Sequence, residues 1–100
     1  MKHYKKPIED RLGANWYQLI NRHPDTVTIG TVKATFRVLA AGGKVRELRI
    51  VSNTGSPGDA MVALQAIAQL RPPAVPPPLL AETGRDHIDF DESFTIYANP

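Results

Sequence analysis

Apolar residues recur along the first part of the chain at spacings of three and four: Tyr4, Ile8, Leu12, Trp16, Leu19 and Ile20. That period puts them on one stripe and predicts a helix over 4–22. Pro7 suits such a helix in its first turn, where the missing N–H is not needed. Arg22-His23-Pro24-Asp25 predicts its end, because the residue before a proline disfavours the α region. The period then changes to two. Val32, Ala34, Phe36 and Val38 alternate with Lys33, Thr35 and Arg37, which predicts a half-buried strand over 29–39. The glycines of Ala40-Ala41-Gly42-Gly43 can take the positive φ of a hairpin turn, and a second strand is expected over 44–52. Val45 is out of phase there with Leu48 and Ile50, which requires a bulge near Arg46–Glu47.

Ser56-Pro57-Gly58-Asp59 predicts a helix over 57–70. Ser56 is a suitable N-cap, Pro57 suits the first helical position, and Asp59 favours the positive end of the helix dipole. Ala60, Leu64, Ile67 and Leu70 make its expected apolar stripe, with Met61 and Ala68 beside it. Pro72-Pro73 stops it. Pro76-Pro77-Pro78 is expected to continue a linker in polyproline II form, whose seven residues reach on the order of 20 Å. A last strand is expected over 87–98, with Ile88, Phe90, Phe94 and Ile96 on one face and Asp89, Asp91, Ser93, Thr95 and Tyr97 on the other. Glu92 falls on the apolar face, where a bulge or a frayed position is expected.

The order αββαβ predicts one α+β domain over 1–100. The hairpin strands pair antiparallel, and a right-handed crossover sets the last strand parallel to the second and antiparallel to the first. The result is a three-stranded antiparallel sheet of order 2-1-3, with two helices on one face and the other face wet. The last strand is then a long open edge with neither proline nor lysine to blunt it. An edge of that kind either risks aggregation or accepts an added strand.

Composition changes this picture little. Apolar residues make up 42% of 100 positions, as suits a folded domain. No apolar run approaches the ~18–20 residues of a membrane span. The opening Met1-Lys2-His3-Tyr4-Lys5-Lys6 runs into charge, so no secretory leader is expected there and a soluble body is. A net charge of +2, with its lysines densest at the start, gives no footprint for nucleic acid. Without cysteine there is no disulfide, thiolate site or cysteine nucleophile.

Several segments resemble the TonB/TolA C-terminal domain family. Gly30-Thr31-Val32, Phe36-Arg37-Val38 and Gly42-Gly43-Lys44-Val45 resemble its opening hairpin, and Val51-Ser52-Asn53-Thr54-Gly55-Ser56 its strand-to-helix connection. Ala60 and Ala63-Leu64-Gln65-Ala66-Ile67 resemble its helix, and Tyr4, Ile8, Leu12 and Trp16 its leading helix. Pro76-Pro77-Pro78, Ile88-Asp89-Phe90 and Phe94-Thr95-Ile96 resemble its proline segment and final strand, in a TolA-like version. Gly58-Asp59-Ala60-Met61 departs from the family's aspartate–leucine-like helix opening. The resemblance implies a non-enzymatic module of an energy-transducing envelope protein involved in transport. It would sit in the periplasm, tethered to the inner membrane and its motor complex by segments outside this chain. Its partner would be an outer-membrane receptor or another envelope protein, docked by strand addition (β-augmentation) to the final strand. The candidate edge is Ile88, Asp89, Phe90, Asp91, Ser93, Phe94, Thr95, Ile96 and Tyr97, with Tyr17 as a secondary contact. The alternative is a self-association module that dimerises through the same edge.

No other chemistry rises above a structural explanation. His3, His23 and His87 are too scattered for a metal motif and read as exposed. Asp89 and Asp91 read as a solvated strand face and not as an acid–base pair. Ser52, Ser56 and Ser93 lack a nucleophile setting. Gly55-Ser56-Pro57-Gly58 lacks the ending of a phosphate loop. Trp16 reads as core and the proline run as a stiff linker. No cofactor, metal or catalytic residue is expected.

Overall fold

The alternation at 32–38 sets the centre of the fold. In the computed structural model, which describes residues 2–40 and 42–97, Val32, Ala34, Phe36 and Val38 are all buried on one face of the middle strand. The elements run α1 (Lys2–Arg22), β1 (Gly30–Leu39), β2 (Val45–Asn53), α2 (Pro57–Ala68), α3 (Pro77–Thr83) and β3 (His87–Ile96). The strands form one sheet of order β2-β1-β3, both pairings antiparallel. This is the expected α+β sheet, with helices against one face. Tyr4, Ile8, Leu12, Trp16 and Leu19 bury the stripe of α1. Phe36 stacks on Phe90 with ring centroids 4.8 Å apart, and Trp16 tilts against Phe94 at 4.9 Å. Gly42 and Gly43 take positive φ in the hairpin, and an added Cβ on Gly43 would also meet the Pro72 carbonyl.

The two pairings of β1 differ. Toward β2 the register slips twice, between Lys33 and Ala34 and between Thr35 and Arg37. At the second slip Glu47 turns to φ 53, so the bulge required by Val45 is present. Toward β3 the register runs without a slip from Gly30↔Ile96 to Leu39↔His87. Glu92 therefore stays in step opposite Ala34 in the middle of the ladder, which overturns the bulge or frayed position expected there. The strand ends at Ile96, so Tyr97, expected within it, lies beyond it, and Ala98 lies outside the described residues.

The helices hold three corrections. α1 begins at Lys2, so Pro7 lies inside it and not in its first turn. The helix is held there by the buried stripe that starts at Tyr4. α2 is capped as expected, the Asp59 N–H donating to Ser56 Oγ at 3.3 Å, but it ends at Ala68, short of the expected 70, and its buried stripe is Val62, Ala63, Ala66 and Ile67. Ile67 and Leu70 of the expected stripe are buried, Ala60 and Leu64 only partly. Met61 is 60% exposed, and Ala68 is exposed. Asp59 lies on the same buried side. Its side chain is fully buried, and Oδ1 accepts the Thr28 N–H at 2.8 Å. Gly55 makes room for it, because a Cβ there would strike the Asp59 carboxylate. Lastly, the proline run does not stay extended. Pro76 keeps φ −60 and ψ 137, but Pro77 opens the short helix α3. Two prolines fit a first turn because the N–H groups they lack have no partner there. Buried Val75 and Leu79 pin α3 to the core, and Gly84 ends it with φ 67.

Candidate partner-binding edge

Order β2-β1-β3 leaves two edges, and the sequence treats them differently. β2 is broken by two bulges and carries Arg46 and Arg49 on exposed positions, which are the usual means of blunting an edge. β3 is regular over its whole pairing and contains no lysine, arginine or proline.

The ladder fixes which backbone groups of β3 are free. The Ala40 N–H donates to the Asp86 carbonyl at 2.8 Å. In an antiparallel pair the bonded residues alternate, so the even-numbered residues from Ile88 to Ile96 point their N–H and C=O toward β1. The odd-numbered residues Asp89, Asp91, Ser93 and Thr95 point theirs to the open side. One of these is already occupied: Lys5 Nζ of α1 donates to the Asp89 carbonyl at 2.8 Å, and its ammonium lies 4.9 Å from the Phe90 ring centroid. α3 packs beside the same end of β3. The open length is therefore the second half of the strand, from Asp91 through Thr95 toward Tyr97.

The expected edge residues divide accordingly. Ile88, Phe90 and Phe94 are buried beneath the helices, and Ile96 is partly buried, so these side chains build the core, with Phe94 also lining the groove beside α1. Asp89 is half-exposed but engaged, with Arg37 at 3.0 Å and Arg85 at 3.1 Å. Thr95 Oγ1 lies 3.1 Å from Thr31 Oγ1 across the wet face. Asp91 and Ser93 are exposed. Tyr97 and Tyr17 are 77% and 68% exposed, and both border one groove of about 250 Å³ between α1 and β3. That groove also takes in Glu9, Trp16, Glu92 and Phe94.

Glu92 is the unusual member. Its Oε1 is buried without a hydrogen-bond partner. Burial first, then a side-chain hydrogen bond with Glu9 of α1 and the charge of that carboxylate, push the Glu92 carboxyl up to about 7, against a smaller pull from Lys5. Sequence reasoning saw Glu92 out of place but missed Glu9 and Lys5, whose relation to β3 is set by how α1 crosses the sheet. The available signal was position: both lie within a turn of Ile8 on the helix that covers this face.

His87 is not exposed as expected; its side chain is 13% exposed and its Nδ1 lies 2.9 Å from Asp86. Among the described residues no three metal-ligating side chains converge, and no helix is long and apolar enough to cross a membrane. A larger cleft of about 570 Å³ lies between the hairpin turn and the end of α2, but Arg71 on its rim donates to the Ala68 and Leu70 carbonyls.

Comparison with protein-family models, curated proteins and solved structures gives no match. The functional reading rests on the geometry of the edge.

Proposed function

We propose that this chain is a protein-binding domain that receives an extended segment of a partner on the free side of β3. The observation that carries the reading is the contrast between the edges: β2 is bulged and cationic, whereas β3 keeps an unbroken register without lysine, arginine or proline and is open over its second half. In the same proposal the domain acts as TonB/TolA C-terminal domains do, in an energy-transducing envelope protein of the periplasm. It is tethered to the inner membrane by segments outside this chain and docks an outer-membrane receptor or another envelope protein. No catalytic step is involved. Self-pairing through β3 is less favoured, because Asp89, Asp91 and Glu92, with no lysine or arginine in the strand, would meet their own copies.

The test uses a ten-residue peptide selected from a displayed random library against the whole chain. Ser93→Pro and Thr95→Pro each delete a donor on the open side while leaving the bonds to β1, so both variants fold. Each is expected to weaken the peptide at least about tenfold, with the circular dichroism spectrum unchanged. Unchanged affinity in both folded variants overturns strand addition.

A further inference from the structure

The groove beside the open half of β3 gives this edge a chemical preference, an inference that rests on the strand-addition reading. We infer that the incoming strand carries a lysine or arginine whose side chain enters between Glu9 of α1 and Glu92 of β3, with an apolar residue two positions away on the same face.

Glu92 points to the helix-covered side, as its even-numbered neighbours Phe90 and Phe94 do. A residue added directly opposite it lies on that same side, about 4.5–5.5 Å away between Cβ atoms. It therefore enters the groove under α1, where Glu9 lies. Lys5, the cation that acts on Glu92, does not fill this place: it is held by the Asp89 carbonyl and the Phe90 ring. Among the described residues Glu9, Asp91 and Glu92 form no ion pair. A carboxyl with one buried oxygen left without a partner, whose side-chain contact is a second carboxyl, Glu9, is the arrangement a charged donor relieves. Two positions from Glu92 along the same face lies Phe94, packed on Trp16, with Tyr17 and Tyr97 at the rim of the groove. That end suits an apolar side chain.

A proton is coupled to the event. The groups facing Glu92 are Glu9 and Lys5 from α1 and Asp91 from its own strand, while its partner on β1 is the uncharged Ala34. With the carboxyl held near 7, about half of the free molecules carry a proton there at neutral pH. An incoming ammonium or guanidinium favours the ionised form, so the proton leaves on binding. Affinity rises as pH rises through 7.

The test uses the selected peptide and its versions with Lys, Gln or Glu at the position facing Glu92. The Lys peptide is expected to bind at least about tenfold tighter than the Gln peptide at pH 8, less so at pH 6, and to release a proton, read by calorimetry in buffers of different ionisation enthalpy. Glu92→Gln is expected to remove both the preference and the proton release while leaving the Gln peptide bound. Equal affinity of the Lys and Gln peptides, with both still sensitive to Thr95→Pro, overturns this inference and leaves strand addition standing. Failure to select any peptide, or binding indifferent to Thr95→Pro, overturns strand addition and this inference with it.

Discussion

Glu92 shows how a single side chain departs from its strand. The alternation of β3 gives it an apolar site, and the unbroken register with β1 keeps it there. Its carboxyl, ordinarily near 4.5, is raised to about 7, so the folded protein holds a proton that the unfolded chain has lost between those values. Stability therefore falls as pH rises from about 4.5 to about 7 and is level above. Glu92→Gln removes this loss. After discounting for a half-exposed site, the variant is expected to be more stable by about 1 kcal/mol at pH 8 and equal to the parent at pH 4 in urea melts. The same difference at both pH values contradicts the assignment. Phe36 is the opposite kind of residue, 2% exposed and stacked on Phe90. Phe36→Ala is expected to cost about 3–5 kcal/mol; a loss under about 1 kcal/mol would mean that the register is read one residue wrong.

At the scale of elements, what could be read from sequence were the parts fixed locally. The stripe of α1, the alternation of β1 and the bulge demanded by Val45 each follow from neighbours a few residues apart. The rest needed distant partners. The buried side of α2 includes Asp59, which reaches Thr28 across the fold, and an acid in a first turn gives no sign of being buried. α3 was hidden because a proline run satisfies both an extended linker and a helical first turn; buried Leu79 and Val75 decide between them. At the edge, sequence gave the openness of β3 but not which half of it is free. That depends on Lys5 reaching the Asp89 carbonyl from the far end of the chain, and Asp89 is likewise taken by Arg37 and Arg85. The charge available to a partner is therefore that of Asp91, Glu92 and Glu9.

For the whole molecule, the arrangement is a sheet guarded unequally. One edge is bulged and carries arginines. The other is regular, covered by Lys5 and α3 over its first half and open over its second, beside an acidic groove. The most direct measurement is amide hydrogen exchange along β3. In the free protein the N–H groups of Phe90, Glu92 and Phe94, bonded to β1, are expected to exchange slowly, and those of Asp91, Ser93 and Thr95 quickly. On binding the selected peptide, Asp91, Ser93 and Thr95 are expected to become slow while the even-numbered amides stay as they were. Protection of Ser93 and Thr95 in the free chain that grows with its concentration would instead show a second copy on the edge. A bound peptide that leaves the odd-numbered amides fast would contradict the account.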